Sequence, residues 1–192
     1  MTNFLEEISN LLKRLSGLGL PHVVGGSFAS SAWGIPRQTN DLDLVVTITQ
    51  GDADRIVAEF HGDYLCSASS IEEASSSHQA FSSFQMIHME QVFKVDFFVA
   101  KESEYVQAMF ERARPYSITA DFSAPFCAPE DTVIAKLRWY ELGNRISDKQ
   151  WNDIIQVLEV QRGELDEEYL DRWAVHFGVS DLLQEARSEV LA

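Results

Sequence analysis

VVGGSFASSAWGIPRQTNDLDLVV, residues 23–46, decides how this chain is read. An apolar run ends in Gly25-Gly26, a helix-like segment covers Phe28 to Trp33, and Gly34 and Pro36 stop it. A second apolar run then carries Asp41 and Asp43. In a strand, residues i and i+2 share a face, so the two carboxylates project together while Leu42 and Leu44 go to the other side. Carboxylates so close repel unless a cation lies between them. The hard, oxygen-seeking ion suited to that pair is Mg²⁺, held by one or two carboxylates together with substrate phosphates.

Working outward, His22–Val24 reads as a strand and Ser27 is placed to cap the helix after the Gly-Gly turn. A turn at a helix N-terminus offers backbone N–H groups and a positive dipole end to a phosphate. Residues 3–16 place Phe4, Ile8, Leu11, Leu12 and Leu15 at helical spacing, and Gly51–His61 reads as another helix. The serine-rich stretch 67–83 reads as loop. Residues 84–90 and 92–100 read as two strands of a hairpin, and Asp96 in FKVDFFV is a third strand carboxylate. Beside the strand of Asp43 it would complete a three-carboxylate site for two metal ions. The plainer reading pairs Asp96 with Lys94, two residues away on the same face.

Residues 102–113 look helical, and a connector with Pro115 and Pro125 follows. Pro129 with two acids then starts a helix whose inward face is Val133, Ile134, Leu137 and Tyr140. Ser147 and Gln150 form a capping box before a helix with Trp151, Ile154, Ile155 and Leu158. A third helix carries Leu165, Tyr169, Leu170, Trp173 and Phe177, and a fourth starts near Val179. In this pattern Lys136 is equally readable as a surface lysine, and Asp153 pairs with Lys149 on the solvent face. The expected organisation is an α+β fold: an α/β core over residues 1–120, a mixed sheet with flanking helices, then a helical bundle over 128–192 packed on it.

With 192 residues, 45% hydrophobic, the chain can bury one sizeable core. The formal net charge of −15 argues against extended DNA binding through phosphate attraction. No stretch approaches the roughly 20 apolar residues of a membrane helix, and a soluble, cytoplasmic protein is expected. Cys66 and Cys127 lack metal-ligand spacing and read as ordinary reduced thiols.

The GGS turn, the short helix, Asp-Leu-Asp and a later strand aspartate together resemble the DNA polymerase β-type nucleotidyltransferase superfamily, over about residues 20–100. GIPRQTNDLDL, with Arg37 and Thr39 before the aspartates, is similar in particular to small bacterial stand-alone members of the abortive-infection and toxin–antitoxin kind, and to aminoglycoside adenylyltransferases. Toxin types carry a helix lysine and a Lys-Asp-x-x-Asp helix. Here Lys136, Lys149 and Asp153 match, while Gln150 replaces the first aspartate.

The resemblance implies transfer of a nucleoside monophosphate from an NTP to a hydroxyl of tRNA, a protein or a small molecule, with release of pyrophosphate. It implies that Asp41, Asp43 and Asp96 hold two Mg²⁺ ions. Gly25, Gly26 and Ser27 would bind the β- and γ-phosphates, and Lys136 and Arg37 would contact phosphate or nucleotide. The alternative is a weakly catalytic or non-catalytic scaffold that binds a partner protein of a toxin–antitoxin pair.

Overall fold

A computed structural model describes residues 4–77, 79, 82–91 and 93–191. The elements run α1 (Phe4–Gly17), β1 (His22–Val24), α2 (Gly26–Trp33), β2 (Asp41–Val46), a 3₁₀ turn (Gln50–Asp52), α3 (Ala53–Phe60), β3 (Tyr64–Leu65), α4 (Ala68–Ser76), β4 (Ser83–His88) and β5 (Lys94–Val99). They continue with α5 (Glu104–Arg112), β6 (Arg114–Thr119), β7 (Phe122–Phe126), α6 (Pro129–Leu142), α7 (Asp148–Val160), α8 (Glu167–Phe177) and α9 (Ser180–Leu191). The fold is therefore the mixed α/β architecture that the sequence leads one to expect. No helix among the described residues is long and apolar enough to cross a membrane. Cys66 and Cys127 are free thiols.

The chain divides into two compact units. One holds the described residues up to Val24 together with Thr39–Phe126, and the other holds Gly25–Gln38 with Cys127 onward. In the first, the strand order is β3-β4-β5-β2-β1-β7-β6. β2 runs parallel to β5 and β1 parallel to β7, while the other pairs are antiparallel. Strict alternation sends Leu42, Leu44 and Val46 of β2 and Val95, Phe97 and Val99 of β5 into the core. Each such side chain contributes about 1.5–3 kcal/mol by leaving water. Helix α1 buries Ile8, Leu11, Leu12 and Leu15 at helical spacing.

Three elements depart from the sequence reading. The serine-rich stretch contains α4, whose N-cap Ser67 accepts from Ser70 N and whose buried side chains are only Ile71 and Ala74. With so little apolar periodicity, packing rather than propensity decides that helix. The proline-containing connector is the β6–β7 hairpin, with Pro115 and Pro125 directly opposite each other. Both are tolerated because β6 is the sheet edge and β7 meets β1 only at Val24 and Phe126. Ser27 does not cap α2, since the helix starts at Gly26 and its N-cap is Gly25. The expected β4–β5 hairpin is present, with Val92 outside the described residues.

In the second unit, α2 packs against α6 and α7. The Trp33 indole N–H donates to the Cys127 carbonyl at 2.7 Å, and Gln161 Nε2 donates to the Trp33 carbonyl at 2.8 Å. A Cβ on Gly34 would lie 2.9 Å from Ser30 O and 3.1 Å from Val157 N, so only glycine admits this approach to the α7 backbone. Gly34→Ala is expected to destabilise the protein by roughly 1–3 kcal/mol, read as a lower denaturation midpoint. An unchanged midpoint would mean that α7 yields freely there.

Candidate active site

The carboxylates lie on the sheet face opposite the apolar one. Asp41 pairs in register with Lys94 and Asp43 with Asp96, which places three acids and one lysine on neighbouring positions of two parallel strands. Adjacent strands lie about 4.8 Å apart. Asp41 is exposed and Asp43 half-buried, while the Asp96 side chain is 14% exposed. Lys94 Nζ is 2.6 Å from Asp96 Oδ2, so the plainer ion pair forms. The hydrogen bond to Asp96 raises the Lys94 pKa above its ordinary value; burial opposes this, and the charges of Asp96, Asp41 and Asp43 add to it. Thr39 Oγ1 accepts from Asp41 N at 3.5 Å where β2 begins.

The donor set is three oxygen-bearing acids with no sulfur or nitrogen ligand among them, which suits a hard divalent cation. Among the described residues, however, no group of three His, Cys, Asp or Glu side chains is placed to hold a metal ion. Asp96 is turned onto the Lys94 ammonium.

The second unit contains the remaining predicted residues. Gly25 is extended, and Gly26 has φ +53°, a left-handed conformation that glycine adopts without penalty. Ser27 Oγ accepts from Arg37 Nη2 at 2.6 Å. Arg37 is fixed by Asp153 through a fork: Nε to Oδ1 and Nη2 to Oδ2, both 2.8 Å. Asp153 Oδ2 also accepts from Ser30 Oγ at 3.1 Å and lies 2.7 Å from Lys136 Nζ. Lys136 further donates to Gln150 Oε1 at 3.1 Å.

Burial raises the Asp153 pKa, but the Arg37 hydrogen bond and the Lys136 charge outweigh it and hold the carboxyl down at about 2. Asp153 thus pairs with two cations, Arg37 and Lys136.

One expectation is corrected here, and one open alternative is resolved. Asp153 is 3% exposed and pairs with Lys136 and Arg37, not with Lys149 on a solvent face. Lys136 is no surface lysine, being 4% exposed. Gln150, which breaks the Lys-Asp-x-x-Asp pattern, still contacts Lys136. The sequence signal that would have found Asp153 is the stripe Gln150, Asp153, Ile154, Val157 and Leu158. Val157 is buried, and taking it as the inner residue in place of Ile155 rotates the buried face of α7 onto Asp153. Trp173 is core, whereas Trp139 is 39% exposed.

No family model and no curated protein sequence matches the chain. Solved structures do. ANT(2'')-Ia in complex with adenylyl-2''-tobramycin superposes with a TM-score of 0.61 at 13% identity, covering 92% of this chain and 99% of that one. The chain has the nucleotidyltransferase fold. An antigenic nucleotidyltransferase-like protein from Paracoccidioides brasiliensis gives a TM-score of 0.56 at 16% identity, covering 98% of this chain and 91% of that one. The lincosamide antibiotic adenylyltransferase LnuA, lincomycin-bound, gives 0.52 at 12% identity, covering 81% and 96%. None of these three nucleotidyltransferase-fold neighbours is described as a toxin or an antitoxin.

Proposed function

We propose that this protein is an Mg²⁺-dependent nucleotidyltransferase that moves a nucleoside monophosphate from an NTP to a hydroxyl acceptor and releases pyrophosphate. The observation that carries the reading is the register of β2 and β5, which sets Asp43 opposite Asp96 with Asp41 on the same face of a nucleotidyltransferase-fold sheet. Asp41, Asp43 and Asp96 would hold the metal. Bound Mg²⁺ supplies neutralisation of the triphosphate charge and a lower pKa for the attacking hydroxyl.

Asp96 orients the hydroxyl and takes its proton. The hydroxyl oxygen forms a bond to the α-phosphorus, the bond from that phosphorus to the α–β bridging oxygen breaks, and pyrophosphate leaves with the electron pair. Ser27 and the Gly26 backbone receive the β- and γ-phosphates. Arg37 fixes the Ser27 hydroxyl by donating to it, and Lys136 adds positive charge to the cluster. The acceptor is tRNA, a protein or a small molecule, and the net charge of −15 favours a cationic small molecule or a protein over tRNA. Neighbours bound to adenylyl-2''-tobramycin and lincomycin support a small molecule.

The test is the thermal midpoint with Mg²⁺ and each of ATP, GTP, CTP and UTP, for the wild type and for Asp41→Asn with Asp43→Asn. One nucleotide should raise the wild-type midpoint by several degrees only with Mg²⁺, and the variant should lose the rise. A nucleotide response kept by the variant removes the aspartates from the site. Labelled transfer to candidate acceptors then identifies the acceptor.

A further inference from the structure

Within the carboxylate face, Lys94 is the residue that the nucleotidyl-transfer reading leaves without a role. It stands in register with Asp41, two residues before Asp96 on the same strand, and Asp96 stands in register with Asp43. The four side chains therefore occupy the corners of one patch: three negative charges and one positive. On the other side of β5, the in-register neighbours from β4 are Ile87 at Lys94 and Gln85 at Asp96, neither of them charged. Asp96 is the least exposed partner of this pair, at 14%, against 37% for Lys94. A carboxylate so enclosed needs a cation even when no metal is bound.

We propose that the Lys94 ammonium is a built-in counter-ion for the three carboxylates, which must leave Asp96 before a divalent cation can use that oxygen, so that Lys94 sets the metal affinity of the site. The inference rests on the metal-site reading of Asp41, Asp43 and Asp96 and adds a residue that tunes it. It also accounts for why no three acids are placed together for a metal among the described residues: the Asp96 oxygen is held by Lys94 at 2.6 Å. An ammonium and a divalent ion on the same carboxylate repel each other, so lysine and metal exclude one another. With the lysine in place the four side chains carry a formal charge of −2, and without it −3, so losing Lys94 strengthens the attraction for a cation. The four-carbon stem and partial exposure of Lys94 let its head swing into solvent without disturbing the backbone.

Mn²⁺ binding to the 192-residue chain without nucleotide, followed by loss of the free-ion EPR signal, tests this. Lys94→Met is expected to bind Mn²⁺ about tenfold more tightly than wild type, and Lys94→Arg to bind within about twofold of it. Asp43→Asn should lose the Mn²⁺ response. In the absence of metal Lys94→Met should melt below wild type, and Mn²⁺ should raise its midpoint by more. Lys94→Gln replaces Lys94→Met should the latter fail to fold. Equal or weaker Mn²⁺ binding by Lys94→Met, with the Asp43→Asn loss intact, overturns the counter-ion role and leaves the metal site standing. No Mn²⁺ binding by wild type or by Lys94→Met overturns both.

Discussion

Asp153→Ala is expected to destabilise the protein by about 3–5 kcal/mol, because it removes the buried carboxylate that pairs with the buried Lys136 ammonium and with Arg37. For a chain of this size that lowers the midpoint by roughly 10 °C. Arg37 loses its fork at the same time, and with it the fixed donor to Ser27 Oγ. Replacing Lys136 as well, as Met, should recover part of the loss, since the buried ammonium is then gone. Urea denaturation of the two variants measures this, and an Asp153→Ala midpoint equal to wild type would show that the cluster contributes no stability.

The same carboxylate gives a pH dependence of definite sign. Its folded pKa of about 2 lies below the unfolded value of roughly 3.9, so its contribution is fully present above pH 4 or so. That contribution, about 2 kcal/mol, is lost as pH falls through 2. Asp153→Asn should therefore flatten the acid limb of the stability profile between about pH 4 and pH 2.

Asp43→Asn is expected to reduce nucleotidyl transfer by about 1000-fold or more, with stability within about 1 kcal/mol of wild type. Asparagine keeps the shape and removes the charge, and a patch with one acid fewer also has less internal repulsion, so the loss of activity would come without a loss of fold. Pyrophosphate release together with the thermal midpoint separates the two quantities. Transfer that survives the substitution would place the chemistry elsewhere in the molecule.

What was legible in the sequence was local. The Asp-x-Asp alternation, the Gly-Gly turn and the strand that carries Asp96 are each written in a few consecutive residues, and period-two patterning alone is enough to put Asp41 and Asp43 on one face. Bringing Asp96 beside Asp43 further requires β2 to pair with β5, and the register meets that requirement. The rest is long-range. Arg37 and Asp153 are 116 residues apart, and nothing near either residue announces the other. The grouping of residues 25–38 with the C-terminal helices is equally invisible to a reading along the chain, which placed them inside the α/β core. Helix α4 and strands β6 and β7 escaped because serine and proline signal loops locally, while an edge position and two buried side chains decide otherwise.

The interleaving of the two units along the chain has a consequence for synthesis. Helix α2 and Arg37 emerge early, yet the partners that bury them, α6 and α7, belong to the last third of the sequence. At about 5–20 residues per second the ribosome takes seconds to deliver them. Residues 25–38 lie between two strands that pair through Val24 and Leu44, so for that interval the segment is without the helices it packs on. A translation product cut short before α7 would carry the complete Asp41, Asp43 and Asp96 set without Asp153, the carboxylate that holds the Arg37 guanidinium in a fork.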